Sequence, residues 1–182
     1  MDVNPYEPSL APAVLNPSRR LPLALLFSFA IGIPLSADLT ALLATGTVSR
    51  FMSLTLEAAS LLLLAWPISV STVFWISFAH KSASNAGQLE SRQLLWLAPL
   101  IVIPITMLVW GAVFEHGRGR GYVRWQLTVV HWAFFASIAI AILGILFNRG
   151  RRSFVAASTI LLLLFSFSCS FTAGSAVTGD WL

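Results

Sequence analysis

Residues 127–147 read LTVVHWAFFASIAIAILGILF, a run without a single Lys, Arg, Asp or Glu. As a helix rising about 1.5 Å per residue, these 21 positions extend about 32 Å, enough to cross a hydrocarbon core of about 30 Å. A strand would need only about 9 to 11 residues for the same crossing, and no backbone N–H or C=O can stay unpaired in lipid. A transmembrane helix is therefore what this run dictates. Arg124 closes it on one side, and Arg149, Arg151 and Arg152 close it on the other.

Four more runs of this kind cover residues 21–43, 58–79, 94–114 and 154–177, each 21 to 24 residues long. The whole 182-residue chain is 57% hydrophobic and only 10% charged, with a mean hydropathy of +0.83; a soluble domain carries about 25% charge. Water could not be the solvent for so much apolar surface in a chain of this size, so the lipid bilayer is. The fold expected is all-α: an integral membrane bundle of five transmembrane helices forming one domain over residues 21–182.

The opening MDVNPYEPSLAPAVLNPSRR places four Pro in twenty residues and lacks helical periodicity, which predicts a flexible tail over residues 1–20. Its NPYEPS stretch, residues 4–9, resembles the NPY-x-P type of N-terminus of uncharacterised small bacterial multi-pass membrane proteins. The resemblance covers those six residues and implies no activity. A competing reading takes Ser18-Arg19-Arg20 and the apolar run to Ile33 as a signal sequence cleaved within residues 34–37, which would leave four helices.

Orientation follows from Lys and Arg in the connections. Arg19, Arg20, Lys81, Arg92, Arg149, Arg151 and Arg152 fall on one side, and Arg50, Arg118, Arg120 and Arg124 on the other. Seven against four predicts the cytoplasmic (inner) membrane with the N-terminus inside and the C-terminus outside. Trp75 and Trp96 fall near the inner face and Trp110, Trp125 and Trp181 near the outer one, as indole rings prefer. Trp66, beside Pro67 in mid-run, is expected to pack between helices.

Small residues at four-residue spacing let helices approach in lipid. Such stripes run through Ala24, Ser28, Gly32, Ser36 and Thr40, through Ala133, Ser137 and Ala141, and through Ser166, Ser170 and Gly174. They are expected to be packing seams, and faces for a membrane-protein partner or a second copy. Pro34, Pro67, Pro99 and Pro104 lie within the runs, where each can bend its helix.

On this topology the polar residues gather toward the outer face: Asp38, Glu57, Glu115, His116, Arg118, Arg120, Arg124 and His131. An imidazole within a lipid span is a candidate metal or haem ligand or proton carrier, which singles out His131. Glu115 and His116 stand one connection away, so His116, His131 and Glu115 are the candidate metal ligands, although no HExxH spacing accompanies them. Asp38 is expected near the outer boundary, solvated at its helix end. Three Arg in FEHGRGRGYVRW, residues 114–125, are expected to meet lipid phosphates or Glu115, Glu57 and Asp38.

No catalytic set emerges. There is no GxSxG, and the lone Cys169 sits inside an apolar run, where a thiolate is disfavoured. GRGRG is too short and too tightly tied for an RGG-type binder, so no nucleic-acid partner is expected. The reading is a non-enzymatic accessory or interaction component of the membrane without a cofactor. A small transporter or channel unit with an outer polar site is the alternative, and a metal- or haem-binding membrane protein stands behind both.

Overall fold

The computed structural model of the protein describes residues 20–84, 97–115, 124–148 and 152–179. The tail, including NPYEPS, lies outside them. Six helices and no strand occur among the described residues: α1 Arg20–Thr45, α2 Val48–Leu64, α3 Trp66–Ser84, α4 Ala98–Val113, α5 Arg124–Phe147 and α6 Arg152–Thr178. The described residues are all-helical, and their apolar helices point to a membrane-embedded protein.

The link between α1 and α2 is a tight cap. Gly46 takes a left-handed conformation with φ +67°, its N–H donates to the Leu43 carbonyl (3.3 Å), and the Thr47 N–H donates to the Leu42 carbonyl (3.1 Å). This is the Schellman arrangement, which returns two orphan carbonyls of α1 to hydrogen bonds at the helix end. α1 itself runs unbroken through residues 34–37.

The run 58–79 is not one straight helix. α2 starts ten residues earlier, at Val48, and ends at a 79° bend to α3. Pro67 explains the break: it has no N–H to offer the Leu63 carbonyl, and its ring would clash with that carbonyl in a continuous helix. At the second position of α3 the missing donor costs nothing, while the Ile68 and Ser69 N–H groups donate to the Ala65 carbonyl at 3.1 and 3.0 Å. Pro34 and Pro104, in contrast, lie inside continuous helices. Trp66 does not pack between helices. It stands at the bend with 62% of its surface exposed.

Three helices are long and apolar enough to cross a bilayer alone, within Ser28–Thr45, Trp125–Phe147 and Arg152–Thr178, and the bent α2–α3 pair makes a fourth if it is one broken span. α4 has 16 residues, about 24 Å of helix, and falls short of that measure. Among the described residues, length and composition thus give three or four candidate crossings.

α6 is the hub, packed by α4, α5, α3 and α2, while α1 joins the bundle mainly through α4. Leu54 and Ala58 of α2, Leu108, Val109 and Ala112 of α4, Cys169 and Ala176 of α6 and Leu42 of α1 form one buried cluster. The closest approach joins α4 to α6: a Cβ built on Gly111 would lie 2.9 Å from the Ala173 Cα. Only a hydrogen fits there.

Of the three small-residue stripes, that of α5 turns inward, with Ser137 and Ala141 buried. That of α6 buries Ser166, and a Cβ built on Gly174 would lie 3.4 Å from Leu127 Cδ1. The α1 stripe forms no seam with its own bundle among the described residues. Ser28, Gly32, Ser36 and Thr40 are exposed, and nothing lies within 4 Å of where a Gly32 Cβ would be. The side of α1 that reaches the bundle carries Pro34, Asp38 and Leu42, which share a face because four residues nearly complete a turn.

Candidate functional site

The Arg50–Glu115 pair stands at the end of the bundle that holds the start of α2 and the end of α4. Aromatic rings mark that end: Trp110 meets Phe114 (centroids 4.3 Å apart) and Trp125 (5.7 Å), and its Nε1 donates to the Gln126 carbonyl at 3.2 Å. At the opposite end, the Trp75 Nε1 donates to Ser153 Oγ at 2.9 Å. Trp75 and the Trp110–Trp125 pair therefore stand toward opposite ends of the bundle, and Trp96 and Trp181 lie outside the described residues.

Glu115, just past α4, forms an ion pair with Arg50 in the first turn of α2, both side chains about one-third exposed. The arginine facing Glu115 is thus Arg50, which the charge count used only for orientation. Arg118, Arg120 and His116 lie outside the described residues, as does the side chain of Arg124 at the start of α5. Three and seven residues after Arg50 on the same helix face come Ser53 and Glu57, and Ser53 Oγ donates to Glu57 Oε1 at 3.3 Å. Glu57 Oε2 is buried and finds no hydrogen-bond partner among the described residues. Glu57 is not at the start of a helix, as expected, but is the tenth of the 17 residues of α2.

Asp38 is likewise not at a solvated helix end. Thr106 Oγ1 donates to Asp38 Oδ2 at 2.8 Å and lies 3.2 Å from its own-turn Val102 carbonyl. Thr106 is the ninth of the 16 residues of α4, so the carboxylate stands opposite the middle of that helix. It lies about 13 Å along the helix from the Glu115 level. The hydroxyl borders an apolar groove of about 350 Å³ between α1 and α5, walled by Pro34, Ile103, Met107, Trp110, Val130 and Ala136. α1 and α5 flank α4 without substantial contact between them, which leaves this groove open sideways.

His131 is exposed on α5 and stands apart from these pairs. Among the described residues no group of three or more His, Cys, Asp or Glu could hold a metal ion. Of the candidate ligands His116, His131 and Glu115, His116 lies outside the described residues and Glu115 faces Arg50. The acidic groups among the described residues resolve into three separate pairings, Asp38 with Thr106, Glu57 with Ser53 and Glu115 with Arg50. Such an arrangement can hold helices in register.

Sequence reasoning missed Arg50, Ser53 and Thr106. For α2 a signal was present, since Arg50, Ser53 and Glu57 share the helical spacing i, i+3, i+7. Nothing in the sequence joins Thr106 to Asp38, 68 positions apart. No protein-family model, no curated protein and no solved structure matches the chain.

Proposed function

We propose that the protein is a non-enzymatic component of the cytoplasmic membrane that works by associating with other membrane helices, either a partner protein or a second copy. The observation that carries this reading is the outward small-residue face of α1. A helix held mainly by one neighbour, turning Ser28, Gly32, Ser36 and Thr40 away from its own bundle, presents a surface on which another helix backbone can approach closely. In this reading the chain crosses five times with its N-terminus inside. The bent α2–α3 pair is one crossing, and α4 is a short one extended by the apolar residues from position 94. The excess of Lys and Arg in the connections supports that orientation.

The native Cys169 is fully buried, which leaves an engineered thiol on α1 as the reactive one. Gly32→Cys is expected to give a cross-linked product in native membranes under mild oxidation. Phe78→Cys, on the lipid-facing side of α3 where 79% of the residue is exposed, is expected to give none. Equal cross-linking from both positions, or a protein that stays monomeric and partner-free in lipid whether or not Gly32 is replaced by Leu, overturns the reading.

A second reading, a transporter or channel unit, is favoured by one observation: the Asp38–Thr106 pair at the level of mid-α4. Ionisable groups at such depth commonly mark ion or proton paths. Flux assays in vesicles with Asp38→Asn as the control decide it, and no flux of protons or monovalent cations above empty vesicles removes it.

A further inference from the structure

We propose that α1 is a movable arm that tilts about the Gly46 turn and closes against α5, with the Asp38–Thr106 hydrogen bond as the catch that holds it open. The inference concerns the inward side of α1 and does not depend on the association surface, which lies on its other side. Its first support is how lightly α1 is held. Within Ser28–Thr45 6% of the residues are buried, against 22% of Trp125–Phe147 and 33% of Arg152–Thr178. The buried one is Leu42, a single turn before Gly46. Farther from the turn, α1 meets the bundle through half-buried Asp38 and Pro34. Apolar helices in lipid gain nothing by hiding apolar surface from one another, so attachment rests on packing and on interhelix hydrogen bonds, each weak on average. Thr106 Oγ1 to Asp38 Oδ2, at 2.8 Å, is such a bond.

Its second support is the space beside the arm. α1 and α5 flank α4 without substantial contact, and the groove of about 350 Å³ lies between them, its wall almost wholly apolar. The α5 side of that wall includes Ala133 and Ala136. On the α1 side, Ala30 and Ala37 stand one turn before and after Pro34, which lines the groove, and both are exposed. Small side chains on both helices permit a closer backbone approach than the open groove shows. Closure brings these walls into van der Waals contact, which is the packing that the open state lacks.

Its third support is the pivot. Gly46 is left-handed, with φ +67°, and nothing lies within 4 Å of where its Cβ would stand, so rotation there meets no side chain. Hinge motions are absorbed by a few such residues at the end of an element. α1 therefore has two arrangements, fastened at Thr106 or packed on α5, and carrying it across to α5 draws Asp38 off the Thr106 hydroxyl.

The test uses the full chain in native membranes with Ala37→Cys on α1 and Ala133→Cys on α5, a pair that forms a disulfide only where the Cβ atoms come within about 3.5 to 4.5 Å. Cys169 is fully buried and stays out of the reaction. Mild oxidation is expected to give a cross-link within one chain, at the monomer's mass. Adding Thr106→Val, which keeps the shape and removes the hydroxyl, is expected to speed it by about threefold, what the loss of an average interhelix hydrogen bond amounts to. Asp38→Asn keeps an acceptor for Thr106 and is expected to leave the rate nearly unchanged. Ala136→Phe fills the groove and is expected to prevent the cross-link, so the test stands even if Thr106→Val fails to fold. No cross-link at the monomer's mass overturns the proposal. So does a rate that neither Thr106→Val nor Ala136→Phe changes. A product at twice the monomer's mass overturns it too, since the two positions then meet between copies.

Discussion

Gly111 of α4 and Ala173 of α6 touch so closely that a Cβ on the glycine would sit 2.9 Å from the Ala173 Cα and 3.1 Å from its Cβ. The neighbour is backbone of the hub helix and cannot swing aside as a side-chain tip could. Gly111→Ala is expected to destabilise the bundle by about 1 to 3 kcal/mol, the usual range for overpacking a close-packed interior. Gly32→Ala, where nothing lies within 4 Å, is expected to leave stability unchanged. Thermal unfolding of the two purified variants in detergent checks the contrast.

The Arg50–Glu115 pair ties the start of α2 to the end of α4. With both side chains about one-third exposed, the charges are screened by solvent. A double-mutant cycle of Arg50→Gln and Glu115→Gln is expected to return a coupling of about 0.2 to 1 kcal/mol that shrinks with added salt. A coupling of zero at low salt would show that this contact does not join the two helices in solution.

The left-handed turn at Gly46 makes a separate demand. Its surroundings are open, so any penalty for a side chain there is conformational. Gly46→Ala is expected to cost about 1 kcal/mol and Gly46→Asn less, because Asn tolerates this conformation. Chemical denaturation of the three proteins ranks them, and an Ala variant as stable as the parent would contradict the Schellman cap.

Pro67 sets the 79° bend between α2 and α3. Pro67→Ala restores a donor for the Leu63 carbonyl and is expected to straighten the pair. Spin labels at Leu56 and Phe74, both more than two-thirds exposed, read the change as a longer distance. An unaltered distance would place the origin of the bend in packing against α6 instead.

Much of the helical content was legible because lipid leaves the backbone no alternative. The runs at 127–147 and 154–177 became α5 and α6 with only a few residues added at their ends. α2 was misjudged for a physical reason. Its first ten residues carry Ser49, Arg50, Ser53, Thr55 and Glu57, so average hydropathy reads them as a connection. Phe51, Leu54 and Ala58 nonetheless form an apolar side that packs on α4 and α6. Amphipathic periodicity, rather than average hydropathy, held that information.

The candidate site was legible only in part. Asp38 and Glu57 stand opposite or within the middle of helices rather than at their ends, and the partners Thr106, Ser53 and Arg50 were not chosen from the sequence. Small-residue spacing showed a similar split, since the stripe of α5 is buried and that of α1 faces outward. Spacing along one helix fixes which residues share a face and is silent about which neighbour, if any, covers it.

By itself the sequence determined the solvent and the secondary structure, because apolar runs of 21 or more residues can satisfy their backbone in lipid only as helices. Tertiary structure decided which faces meet and which polar groups pair. Those outcomes depend on close approaches between distant segments, Gly111 to Ala173 and Thr106 to Asp38, and on the bend at Pro67 that swings α3 against α6.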